Sequence, residues 1–128
     1  MQKLIICIGL VLAIASCASQ QPLVTINRTG GETVLPVKAS DFRFEPNNIT
    51  AYKGDTVVFQ VENVSGSEHD FTIKDPEGRA MQSVDLPAKK TVEIKTTLSE
   101  AGTYEFFCDK PFHSTFGMKG RIEVIQGP

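Results

Sequence analysis

Tryptophan is absent from this chain, histidine occurs twice and cysteine three times. Each scarcity excludes something. Two imidazoles, His69 and His113, are too few to equip a second metal centre beside a first. Cys7 lies in an apolar run near the start and Cys17 closes that run, so Cys108 is the lone thiol in the body of the chain and no disulfide framework can be drawn. No basic cluster supports nucleic-acid binding. No charge run makes a disordered tail, no useful length has helical periodicity, and no repeat is present. Leu4 to Ala15 is apolar, but about a dozen residues cannot span a bilayer as a helix.

That apolar run follows Met1-Gln2-Lys3 and ends in Ile14-Ala15-Ser16-Cys17, so residues 1–16 read as a signal peptide. Small residues directly before a cysteine resemble the processing site of bacterial lipoproteins, in which the cysteine is acylated and becomes the first residue. Cys17 is then a lipid anchor; the plainer alternative is a secretory cleavage site that happens to hold a cysteine. Ala18 to Gly31 carries Gln-Gln-Pro and Thr-Gly-Gly with little apolar pattern. Residues 17–32 therefore read as a lipidated tether, reaching at most about 50 Å when extended, and residues 33–128 as one domain. Removing residues 1–16 takes away only Lys3, leaving 12 basic against 15 acidic residues. The expected address is the cell envelope, the periplasmic side of a membrane, with the domain a monomer. The sequons at Asn27, Asn48 and Asn63 read as chance matches.

From Thr33 onward, short runs rich in Val, Ile, Thr, Phe and Tyr alternate with Gly, Pro, Asn and Asp clusters, which predicts an all-β sandwich or barrel. Strands are expected at Thr33–Lys38, Phe42–Glu45, Asn48–Tyr52, Thr56–Asn63, His69–Lys74, Gln82–Leu86, Thr91–Thr97, Gly102–Cys108 and Lys119–Ile125. Pro36, which cannot donate to a ladder, suggests that the first is an edge strand. Side chains alternate across a strand, so Val57, Phe59 and Val61 share a face, as do His69, Phe71 and Ile73, and Tyr104, Phe106 and Cys108.

Cys108, His113 and Met118 follow one another with four residues between each pair, between two predicted strands. Taken singly, each candidate has a structural reading: Cys108 as a small buried hydrophobe, His69 as a satisfied core histidine, Met118 as a gap filler. His113 is harder to explain that way, because Phe112 and Phe116 flank it in a loop. Together, thiolate, imidazole and a weak thioether, with His69 as second imidazole, form the ligand set of one copper ion cycling between Cu(I) and Cu(II). Gly117 and Gly120 flank Met118 and would let the backbone approach the metal closely.

The stretches Phe42-Arg-Phe-Glu-Pro46 through Gly54-Asp55-Thr-Val57, His69-Asp-Phe71-Thr-Ile73, and Gly102-Thr-Tyr104-Glu-Phe106-Phe-Cys108 with His113 and Gly117-Met118-Lys-Gly120 resemble the cupredoxin, or plastocyanin/azurin-like, family. The resemblance covers about Lys38 to Ile125. It implies an eight-stranded Greek-key β-sandwich with a type 1 blue copper site made by His69, Cys108, His113 and Met118. The ligand-loop spacing is longer before the histidine than in plastocyanin and is similar to rusticyanin- and auracyanin-type members. Tyr104 matches a tyrosine corner. Asp70 departs from the family pattern, in which an asparagine after the first histidine ties the two ligand loops together. An ionised carboxylate accepts N–H bonds but cannot donate, and its charge favours Cu(II).

The function expected is a membrane-tethered one-electron carrier exchanging with redox partner proteins through a docking patch of Phe112, His113 and Phe116. The alternative is a copper-binding lipoprotein for copper delivery or sequestration, although past Met1 only Met81 and Met118 are methionines. An enzyme is not expected. Both histidines are already committed, one loop cysteine cannot build a binuclear centre, and no oxyanion hole or orienting residue is identifiable for a Cys–His nucleophile. Two His, one Cys and one Met also make a poor zinc set.

Overall fold

The computed structural model describes residues 22–27 and 31–127; the signal-peptide and Cys17 assignments lie outside them. The strands are β1 (Val24–Thr25), β2 (Glu32–Ser40), β3 (Arg43–Glu45), β4 (Asn48–Tyr52), β5 (Thr56–Asn63), β6 (His69–Lys74), β7 (Ala80–Leu86), β8 (Thr91–Thr97), β9 (Gly102–Phe107) and β10 (Lys119–Ile125). They form two sheets, ordered β1-β4-β10-β9-β6-β7 and β3-β2-β5-β8. The all-β sandwich stands. The described residues hold ten strands where the resemblance implies eight.

One strand lies where a tether was expected. Val24 pairs with Ile49 and Thr25 with Thr50 in parallel, the Ile26 N–H donates to the Thr50 carbonyl, and the Ile26 side chain is buried. The domain therefore starts by Val24, and residues 17–32 are not free tether throughout.

Alternation along the strands builds the core. Val57, Phe59 and Val61 of β5 are fully buried, as are Phe71 and Ile73 of β6, while Tyr104 and Phe106 of β9 are buried between exposed Thr103 and Glu105. Phe44, Phe59, Phe71 and Phe106 meet at its centre, with Phe71 stacked on Phe106 at 5.0 Å and Phe44 edge-on to Phe71 at 5.4 Å. Such pairs add about 0.5–1.5 kcal/mol each beyond the area they bury. The expectation that the Pro36 strand is an edge strand fails: β2 lies between β3 and β5, and the proline is tolerated because β3 pairs only with Lys38–Ser40 and does not reach Pro36.

Two anchors lie near the ligand strand. The Tyr104 hydroxyl accepts the Glu100 N–H at 3.1 Å, which is the expected corner. Gly120 serves a purpose different from the one its position suggested. A Cβ there would lie 2.3 Å from the Phe106 ring and 2.6 Å from the Asn47 carbonyl, so the glycine makes room for the core and the β3–β4 connection. The metal end of the sandwich is defined where β6 begins at His69, β9 stops at Phe107 and β10 starts at Lys119.

Candidate metal centre

Three ligating groups converge at that end. The His69 Nδ1 lies 3.2 Å from the His113 Nδ1, which in turn lies 3.3 Å from the Cys108 Sγ. The ligand atoms of these residues all fall within 4.8 Å of one another. His69 and Cys108 are buried and His113 is half-buried. Met118 is fully buried, and its backbone brackets the loop: its carbonyl accepts the Cys108 N–H at 3.0 Å and its N–H donates to the His113 carbonyl at 2.9 Å. Gly117, at φ 113°, takes the turn just before it.

His69 is oriented from behind. The Ser65 Oγ lies 2.8 Å from its Nε2, and exposed Asp41 approaches the same nitrogen at 3.5 Å, so Nδ1 is left facing Cys108 and His113. Ser65 is fixed by Asn63, whose Oδ1 accepts from the Ser65 N–H and hydroxyl while its Nδ2 donates to the Ser67 and Leu86 carbonyls, both at 2.8 Å. Asn63 is wholly buried. Among the described residues no buried side-chain nitrogen or oxygen lacks a partner. The sequence reading missed this Asn63–Ser65 support; the one signal available was a polar residue at the inward-facing end of an apolar strand.

Asp70 stands where the family pattern has an asparagine that ties the two ligand loops together. Its Oδ1 accepts the Asp109 N–H at 2.7 Å and the Thr72 hydroxyl at 3.2 Å, and its Oδ2 faces the Cys108 Sγ at 3.7 Å. The carboxylate thus ties the His69 strand to the Cys108 loop by accepting bonds alone. Lys110 and Glu68 form a second bridge between those loops at 2.8 Å.

Burial, chiefly, pushes the Cys108 thiol above its usual range, although the backbone N–H groups of Asp70 and Lys110 pull the other way. Burial also holds His69 below its ordinary value, helped by His113 and opposed by Asp41. A neutral imidazole is the ligating form.

Phe112 and Phe116 are 71% and 67% exposed, on either side of His113. A third aromatic joins them. Phe42, from the β2–β3 turn, packs edge-on against both His113 and Phe116 with centroids at 5.2 Å. Phe42 and Phe112 both hold positive φ, 60° and 67°, a left-handed conformation that costs a non-glycine residue about 1–3 kcal/mol. Phe42 was read as a strand residue because its contact with His113 joins positions distant in sequence.

A soft thiol and two imidazoles, with a buried methionine in the same loop, suit copper better than zinc, which prefers four nitrogen, sulfur or carboxylate ligands. Two-sheet sandwich and site together define a small β-sandwich protein of the blue-copper type of architecture. The cupredoxin-like domain family description matches residues 4–124, and the chain belongs to that family. It is 32% identical over 108 residues to the copper-resistant cuproprotein CopI of Rubrivivax gelatinosus, covering 72% of this chain and 66% of that one, just under two thirds. It is 25% identical over 125 residues to a chloroplastic plastocyanin of Silene latifolia subsp. alba, covering 91% and 72%. Reduced auracyanin from Roseiflexus castenholzii has a similar fold, with TM-score 0.63 and 20% identity over 75% of this chain and 99% of that one.

Proposed function

We propose that this protein holds one copper ion through His69, Cys108, His113 and Met118 and carries single electrons while tethered to a cell-envelope membrane by acylated Cys17. The observation that carries this reading is the gathering of two imidazoles and the lone thiol within 4.8 Å at one end of a rigid sandwich. Copper bound there would supply a one-electron Cu(I)/Cu(II) couple.

The chain's part is to hold those ligands still. Ser65 and Asn63 fix the His69 ring, Asp70 fixes the Cys108 loop, and the Met118 backbone closes that loop on itself. Ligands that move little between oxidation states keep the reorganisation cost of electron transfer low. The half-buried His113 edge is the exit, and Phe42, Phe112 and Phe116 form an apolar rim suited to brief docking with a redox partner protein. We read no catalytic role: both histidines serve as ligands, leaving no further imidazole in the chain for substrate chemistry.

Similarity to CopI favours a second reading, in which the same site sequesters or delivers copper. Voltammetry and visible spectroscopy of the copper-loaded protein separate the two. The carrier reading expects an intense thiolate-to-Cu(II) band, absent in Cys108→Ser, and many reversible cycles with copper retained. It also expects Phe116→Glu to slow exchange with the partner and leave the band intact. Copper lost on each reduction to an apo-protein acceptor would establish the delivery reading instead.

A further inference from the structure

We propose that the domain is held with its metal-centre end toward an anionic membrane surface, and that a basic groove beside β1 makes the contact. This rests on the reading of Cys17 as the lipid anchor. It adds an orientation, and with it the kind of partner the exit patch can reach.

The first observation is where the chain enters the fold. β1 runs parallel to β4, and β4 runs parallel to β10, with Val24 beside Ile49 and Asn48 beside Arg121. Extending that register, Leu23 lies level with the start of β10, a few residues from Met118. Leu23 lines one groove together with Ser114 and Thr115 of the ligand loop. The anchor therefore leaves the domain at its metal end.

The second is reach. Cys17 and Leu23 are six positions apart, which spans at most about 20 Å. With the metal end down, the distance from Leu23 to the surface is well within that reach. Standing the domain on its opposite end would lift Leu23 by the length of β4 and the turn beyond it, drawing the segment close to its limit and costing chain entropy.

Charge agrees with the geometry. The groove, of about 980 Å³, is lined by Lys74, Lys119 and Arg121 against Glu105. Lys74 also lies over the Phe107 ring at 4.9 Å, and Arg121 donates to Asn48 at 3.3 Å, so these cations are held in place. Exposed Leu23 beside them adds an apolar contact. The opposite-end segments 53–55, 75–79 and 99–101 hold four acidic against two basic residues, which an anionic surface repels, whereas the metal-end connections balance Asp41, Glu68 and Asp109 with Lys89, Lys90 and Lys110 and leave the groove as the basic contact there. With the metal end down, Phe112 and Phe116 sit near the headgroups, and the electron partner is a protein embedded in the same membrane.

The test uses the full acylated, copper-loaded chain in phosphatidylglycerol-containing vesicles with a headgroup-attached energy acceptor. Donor dyes go on Gly66→Cys, in the exposed β5–β6 loop at the metal end, or on Glu100→Cys at the far end. Several-fold stronger energy transfer from position 66 than from position 100 is expected, and a Gly/Ser linker inserted after Gln20 should shrink that bias, as should Lys119→Glu with Arg121→Glu. Equal transfer, or stronger transfer from position 100, in a chain whose mass proves acylation overturns the orientation alone. A bias untouched by Lys119→Glu with Arg121→Glu overturns the groove as the contact. A mass without acyl chains on Cys17 overturns the anchor reading and this proposal with it.

Discussion

Replacing Asn63 by alanine should destabilise the apo domain far more than its polar, sequon-like sequence suggests. The side chain is fully buried and makes four hydrogen bonds, two donated by Nδ2 and two accepted by Oδ1. Alanine leaves the Leu86 carbonyl and the Ser65 N–H without those partners and strips the Ser67 carbonyl of its shorter bond. Each buried group left unsatisfied costs about 1–3 kcal/mol, so a loss of about 3–5 kcal/mol is expected. Such a loss stands at the high end for single substitutions. Urea unfolding of the metal-free protein reads it as a midpoint lower by roughly 2 M at an ordinary slope for this size. Ser65→Ala, which removes the hydroxyl shared by Asn63, Ser67 and His69 but leaves the Leu86 carbonyl and the Ser65 N–H their partners, should cost less than Asn63→Ala. A loss below about 1 kcal/mol in Asn63→Ala would refute the argument that this network holds the loop ahead of His69.

Gly120→Ala should cost about 1–3 kcal/mol by driving a methyl into Phe106 and the Asn47 carbonyl, measurable in the same denaturation series. Met118→Leu should keep copper and the visible band while raising the potential, and Met118→Gln should lower it, because an amide oxygen favours the oxidised ion; potentiometric titration checks the order Leu above Met above Gln. Copper affinity should rise with pH. Burial keeps Cys108 protonated at neutral pH while its thiolate is the ligand, so each ion bound releases one proton and apparent affinity climbs about tenfold per pH unit below the thiol's pKa. Competition titrations with a Cu(I) chelator between pH 6 and pH 8, about two units, measure that slope, and a flat profile would mean that the thiolate already exists in the apo protein.

Most of the scaffold was legible because period-two patterning is a local signal. β4, β5, β6, β8 and β10 have the expected limits, and β2, β3, β7 and β9 differ by one or two residues at their ends. β1 was missed although Leu23-Val24-Thr25-Ile26 is a largely apolar, β-branched run: it is too short to stand out between Gln-Gln-Pro and Thr-Gly-Gly, and the partner that makes it a strand lies at Ile49 and Thr50. The three converging groups, His69, Cys108 and His113, were legible as candidates from residue type, since a lone thiol and two scarce imidazoles stand out in a chain of this composition. What supports them was not. Ser65, Asp41 and Phe42 are ordinary loop residues whose roles exist only once the β2–β3 and β5–β6 connections are folded against the ligand loop.

The parallel pairing of β4 with β10 has a kinetic side. Asn48 must find Arg121, near the far end of the chain, before the larger sheet has a middle, and such distant pairings form slowly because loop closure precedes any return. Cys108 and Met118 come into position only as that last strand docks, with His69 supplied from the middle of the sequence. A partly made chain therefore offers no complete site. An ion taken up on folding would come from whichever compartment holds the finished chain, so the place of folding would weigh on metal identity alongside ligand preference.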